Sequence, residues 1–106
     1  MIPAGKLQHL ITIERAQRLK AGAAGTVSTA WTAHATTRAE LVEQVASDER
    51  KPSGASVRER LTFRLRYLAV TPADRLRFRD RQFGIVQVRE LGRRQGLEIV
   101  CEALPS

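Results

Sequence analysis

The chain has 106 residues, enough for one hydrophobic core and short of what two independent cores need, so a single domain over residues 1–106 is expected. Eighteen basic residues against 11 acidic ones give a net charge of +7 and a pI near 11.0, which favours phosphate backbones or acidic protein surfaces as partners and says nothing about fold. The lone cysteine, Cys101, excludes an intramolecular disulfide framework and a cysteine-rich zinc site and fits a reducing cytosol; with no basic-then-apolar leader and no apolar run near about 18 residues, neither export by that route nor membrane embedding is expected.

Leu7 to Arg15 alternates Leu7, His9, Ile11 and Ile13 with Gln8, Thr12 and Glu14, the period-2 pattern of a half-buried strand. Ala16 to Thr29, with Gly22 and Gly25 among small and polar residues, reads as a long hairpin loop. Trp31 then stands alone in an alanine-rich stretch, and Ala39, Leu41 and Val45 resume alternation; a second strand ending near Glu43 is expected, although the Ala and Glu content also suits a helix. Gln44 to Ser56 is charged and then Pro-Ser-Gly, with almost nothing to bury. So long a polar stretch in a small domain is expected to be a mobile loop that serves a partner.

From Val57 to Leu68 the pattern is clearest, with Leu61, Phe63, Leu65 and Tyr67 alternating with Arg60, Thr62, Arg64 and Arg66. Thr71-Pro-Ala-Asp74 marks a turn or short connector. Leu76 and Phe78 then alternate with Arg75, Arg77 and Arg79, and Asp80-Arg81 suits a tight turn. Phe83 and Ile85 fall on one face and Val86 and Val88 on the other, which implies a bulge or two-sided burial near Gly84. Gly92 to Gly96 supplies the turn into a last strand that alternates Leu97, Ile99 and Cys101 with Glu98, Val100 and Glu102. The predicted fold is all-β, a small β-barrel or sandwich of about six antiparallel strands with a long mobile loop.

The residues offer little for catalysis. His9 and His34 are the only histidines, sit in unrelated stretches and lack a paired carboxylate motif. Cys101 lies on the apolar face of the last strand, where a thiol acts as a small hydrophobe. Asp48 and Glu49 are adjacent acids with no apolar wall to shift a pKa. The Gly92–Gly96 turn lacks the phosphate-loop pattern and its following helix. No enzymatic activity, metal or other cofactor is expected. The arginines are the exception to this blandness: from Arg58 to Arg94 there are 11, against the four acids Glu59, Asp74, Asp80 and Glu90.

Taken in order, these segments resemble the phage head–tail joining (head-closure, or stopper) protein family. Gly5-Lys-Leu-Gln-His-Leu-Ile-Thr-Ile is similar to the family's opening, with His9-Leu10 where an arginine-like residue is more usual, and Gly25 followed by Trp31 resembles its glycine-then-tryptophan spacing. Downstream, Thr62-Phe-Arg-Leu-Arg-Tyr, Val70-Thr-Pro-Ala-Asp-Arg-Leu-Arg-Phe, Phe83-Gly-Ile-Val-Gln-Val and Arg93-Arg-Gln-Gly-Leu-Glu-Ile-Val-Cys-Glu resemble the family's second half element by element. Each motif is short, but together they run from Gly5 to Glu102; the departures are in Gly22–Ser28 and Gln44–Ser56.

The resemblance implies a structural connector at the head–tail junction of a tailed phage or phage-like, gene-transfer particle. It would form a sixfold or twelvefold ring of its own copies, with a portal or adaptor ring above and a tail or tail-terminator ring below, to retain packaged double-stranded DNA and dock the tail. On that reading Val45, Asp48, Glu49, Arg50, Lys51, Pro52, Ser53 and Gly54 order on neighbouring subunits or partners. Arg58, Arg60, Arg64, Arg66, Arg75, Arg77 and Arg79 line a DNA channel or meet acidic partner surfaces without sequence preference. The alternative, raised by the charge, is a free-standing basic small barrel that binds nucleic acid; such modules stack bases on exposed aromatics, whereas most of the aromatics here run in phase with the core.

Overall fold

The structure, a computed structural model, describes the backbone of residues 4–21, 26–51 and 54–104 and the side chains of residues 5–18, 29–46 and 59–104. After a 3-10 turn at Ala4–Lys6 come six strands: β1 (His9–Ala21), β2 (Thr26–Lys51), β3 (Gly54–Leu65), β4 (Arg75–Phe78), β5 (Arg81–Leu91) and β6 (Gly96–Ala103). They close into an antiparallel barrel in the order β1-β2-β3-β6-β5-β4. The seam between β4 and β1 has only three residue pairs, Thr12↔Arg77, Ile13↔Leu76 and Glu14↔Arg75.

Apolar alternation is what drives the barrel shut. Ile11 and Ile13 of β1, Ala39 of β2, Leu61, Phe63 and Leu65 of β3, Leu76 and Phe78 of β4, Phe83 and Ile85 of β5, and Leu97, Ile99 and Cys101 of β6 form one buried cluster. Burial of these side chains stabilises the fold by about 1.5–3 kcal/mol for each large one. Phe63 and Phe78 meet edge to face across the interior, 5.2 Å between ring centroids. The barrel needs β5 to change phase, because Phe83 and Ile85 point in while Val88 also packs on the core. An extra residue, Val86, lies between Ile85↔Cys101 and Gln87↔Val100 and supplies the change, so the bulge expected near Gly84 falls two residues later.

Over their described residues, 16–21 with 26–29 and 44–51 with 54–56, the two stretches read as loops are strands instead; residues 22–25 and 52–53 lie outside the described residues. β1 and β2 stay paired from Ala16↔Trp31 to Ala21↔Thr26, and β2 and β3 from Gln44↔Leu61 to Lys51↔Gly54. Both are two-stranded ribbons running out from the barrel. The polar stretch 44–56 is therefore not a long mobile loop over the described residues 44–51 and 54–56, and β2 continues past Glu43 to Lys51. Neither face of such a ribbon has a core to cover, so no apolar alternation marks it; the backbone ladder holds it.

β2 serves both ribbons and the barrel, and two bulges divide it. His34 is the extra residue between Ile13↔Ala35 and Glu14↔Ala33, and Val42 the extra residue between Leu41↔Phe63 and Glu43↔Thr62. Each bulge bends the strand where it leaves the barrel wall. The radius of gyration, 16.0 Å, exceeds the about 13 Å of a compact chain of this size, as projecting ribbons require. The β4–β5 connection is a two-residue hairpin with Arg79 and Asp80 at φ 52° and 61°, the twist-matched turn geometry, one residue earlier than the Asp80-Arg81 pair the sequence suggested.

Candidate interaction surfaces

With the register known, most of the nominated arginines turn out to be occupied. Arg60 and Arg64 project from the outer face of β3 toward β6, where Arg60 meets Glu102 at 3.2 Å and Arg64 meets Glu98 at 2.9 Å. Glu98 also takes Arg89 of β5 at 3.1 Å, so one carboxylate ties three strands together. At the seam, Arg75 contacts Glu14 at 2.7 Å with Arg77 behind it at 4.0 Å, and the Arg75 guanidinium lies 4.4 Å above the Trp31 ring. Glu14 is 7% exposed, so its charge is answered from β4, across the shortest ladder in the barrel. Trp31 is thus an anchor for the start of the first ribbon.

Arg79 occupies the β4–β5 turn with its guanidinium 4.8 Å over Phe78, and Arg66 lies just beyond β3, exposed, with no ionic partner among the described residues. Arg58 is in β3 opposite Ser47, but its side chain lies outside the described residues. Val45 is on the outer side of β2 opposite Arg60, 44% exposed. Asp48, Glu49, Arg50 and Lys51 pair through their backbones with Val57, Ser56, Ala55 and Gly54, while Pro52 and Ser53 lie outside the described residues.

Sequence reasoning missed two clusters. Glu59 on β3 accepts from Arg81 Nη1 at 2.6 Å and from Gln44 Nε2 at 2.9 Å, joining both strands of the second ribbon to the β4–β5 hairpin. The Arg81 hydrogen bond, helped by Gln44 and opposed by burial, holds the Glu59 carboxyl below its ordinary pKa. The other cluster secures the connector between β3 and β4. Asp74, 4% exposed, accepts from Arg15 Nε and Nη2 at 3.0 Å each and from the Thr71 amide at 3.0 Å. Arg15 Nη2 also reaches the Ala69 carbonyl at 3.3 Å, and His34 Nε2, which must carry its proton to do so, donates to the same oxygen at 3.0 Å. The connector's Leu68 and Val70 pack on the core. Burial alone pushes the Asp74 carboxyl up, but the hydrogen bonds from Arg15 and Thr71 and the charges of Arg15 and His34 outweigh it and leave the pKa lowered; Arg15 is raised in return.

The remaining chemical groups are structural. His9 packs edge to face on Phe78 at 5.6 Å. Cys101 donates to the Leu61 carbonyl at 3.5 Å, and burial pushes its thiol up to about 12. Among the described residues no group of three or more His, Cys, Asp or Glu lies close enough to hold a metal ion. Two clefts among the described residues, about 130 and 210 Å³, fall below the about 300 Å³ at which small-molecule sites begin. The surface is thus built of polar faces, ribbons and tied charges.

A closed six-stranded barrel with these ribbons is the frame on which known proteins can be compared. A family model described as phage head completion protein matches residues 2–104. The chain belongs to the phage head completion protein family. Head completion proteins are structural proteins of the particle, and the resemblance drawn from residues 5–102 points to the same family. No curated protein matches the chain. Among solved structures, a chain of the virion of a native gene transfer agent particle superposes with a TM-score of 0.70 at 24% identity, over 92% of this head completion protein and 96% of that chain. At that identity the likeness is one of fold.

Proposed function

We propose that this head completion protein is a head-closure connector: it joins the neck of a phage or gene-transfer particle at the head–tail junction, retains the packaged DNA and presents the surface on which the tail docks. The observation that carries the reading is the family match across residues 2–104, nearly the whole chain. The ribbons support it. A lone two-stranded ribbon is marginally stable in water, and these two expose strand edges that other subunits could complete. The second ribbon, including Val45, Asp48 to Lys51 and Gly54, is accordingly the surface we assign to neighbouring subunits in a ring, beside a portal or adaptor above and a tail component below. The role is a structural one.

Of the arginines first considered for packaged DNA, Arg60, Arg64, Arg75 and Arg77 are answered by carboxylates of the same chain, which reduces their value for phosphate. Their pairing also weighs against a free-standing nucleic-acid-binding barrel. The test is assembly of particles without the chain. Heads that lose DNA and stay tailless, with both defects repaired by adding the purified protein, are expected; tailed, DNA-filled particles at normal yield would overturn the proposal.

A further inference from the structure

At the end of the barrel where the second ribbon leaves and the β4–β5 hairpin turns, the surface dips into a pit of about 130 Å³. Its apolar lining is Leu41, Leu61, Phe78 and Phe83, one side chain from each of four strands. Leu61 and Phe83 are almost wholly buried and Phe78 nearly so, which makes the floor of the pit the edge of the core itself. An apolar space of about 150 Å³ accepts a benzene ring, so this pit has the size of one large side chain.

Three charges line the pit as well, and two of them answer each other. Glu59 accepts from Arg81 on Oε2 and from Gln44 on Oε1, so both carboxylate oxygens are engaged. Arg79 and Arg81 each lie over a ring of the apolar lining, 4.8 Å from Phe78 and 5.2 Å from Phe83. Arg79 has no carboxylate partner among the described residues, which leaves the pit one unanswered positive charge. Asp80 follows Arg79 in the turn but does not line the pit. A second cleft, about 210 Å³, shares Leu41 with it and is lined by Lys6, Gln8, His9 and Glu40, where one basic and one acidic side chain balance. The edge-on contact of His9 with Phe78 joins the two linings, so pit and cleft form one groove across the barrel end.

We propose that this groove binds a segment of a different, partner protein, seating one aromatic side chain in the pit and a neighbouring acidic side chain on Arg79. An aromatic anchor in a small desolvated pocket is how interface hot spots are built, and a guanidinium already stacked on a ring is pre-organised to take a carboxylate. DNA matches the site less well: a phosphate would answer Arg79 and leave the apolar pit unused, and base stacking requires an exposed ring face, whereas Phe78 is 7% and Phe83 0% exposed. A second copy of this chain also fits poorly. Of the exposed large apolar side chains, only Val42 has an acid next to it, Glu43, and a valine is smaller than the benzene-sized space. The inference rests on the connector reading for the existence of a partner and deepens it by naming the chemistry of one contact.

The probe is 3-phenylpropionate, a phenyl ring and a carboxylate on a short stem, set against its neutral counterpart 3-phenylpropanamide. Each is titrated into the isotope-labelled full chain and followed by amide NMR. The acid should shift the amides of Leu41, Leu61, Arg79 and Phe83 with a Kd on the order of 1–10 mM, and the neutral probe should bind about tenfold more weakly. Arg79→Asn places a short neutral side chain that tolerates φ 52°, so it should fold and should bind the two probes equally. Propionate, with the charge and no ring, should leave these amides unmoved. Absent shifts at these amides, equal wild-type affinity for the two probes, a preference that survives Arg79→Asn, or the same shifts with propionate would each overturn the site. Pit amides that move with protein concentration alone would assign the pit to a second copy. A DNA duplex that displaces the acid from wild type and loses binding in Arg79→Asn would assign it to DNA, and either result overturns the chosen occupant. None of these measurements uses particles, so failure here leaves the head-closure reading to its own test.

Discussion

Replacing Asp74 by alanine removes the acceptor for three hydrogen bonds, two from Arg15 and one from the Thr71 amide. The Arg15 side chain is 41% exposed and regains water, so its share of the loss is small. The Thr71 amide and the packed connector have less recourse. With hydrogen bonds to a charged group contributing about 1.5–3 kcal/mol, a total loss of about 2 kcal/mol is expected at pH 7, or about 10 °C in melting temperature for a domain of this size. Since the folded-state pKa of Asp74 is lowered, its contribution is present above the unfolded value of about 3.9 and is lost as pH falls through the folded value. The wild-type and Asp74→Ala urea midpoints should therefore differ at pH 7 and converge toward pH 2. Amide exchange should accelerate first over residues 66–74, the segment that leads from Arg66 and Tyr67 to β4. Equal midpoints at pH 7, or a gap undiminished at pH 2, would refute the reasoning.

Cys101, with its thiol pushed up to about 12 by burial, should resist a disulfide reagent at pH 8 in the native protein and react once urea unfolds the chain; rapid native labelling would mean that the barrel opens readily. The same raised value means that its contribution to stability is complete below an unfolded thiol pKa of about 8.5 and is lost as pH rises toward the folded one, which is visible as a falling urea midpoint in wild type and a flatter one in Cys101→Ala. Phe63→Ala, at a fully buried position facing Phe78, should cost about 3–5 kcal/mol by chemical denaturation. Changing Arg79-Asp80 to Asn-Gly suits the two positive φ angles and should raise stability by about 0.5–1 kcal/mol, measured as a higher midpoint with unchanged slope. Arg81→Ala, by contrast, removes an exposed ion pair with Glu59 and should change stability by less than about 1 kcal/mol.

The sequence by itself determined the strands that face the core. Alternation is a local property with period two, so Ile11 and Ile13, Leu61 to Leu65, Leu76 and Phe78, and Leu97 to Cys101 declared both the strand and its buried side. Even the phase change in β5 was legible, because Phe83 and Ile85 cannot share a face with Val88 without an extra residue. The same logic fails where no face is buried. Residues 16–21 and 44–51 alternate nothing, and only their pairing across the hairpins makes them strands.

Register decided the rest. Arg64 and Glu98 are 34 positions apart, Arg75 and Glu14 61, and Arg15 and Asp74 59; nothing local marks them as partners. The sequence showed an arginine excess along the second half of the chain and left open whether it met DNA or protein. Only closure of the barrel divided that excess, among the described residues, into charges already answered by carboxylates of the chain and the few, at Arg66, Arg79, Arg93 and Arg94, that are not.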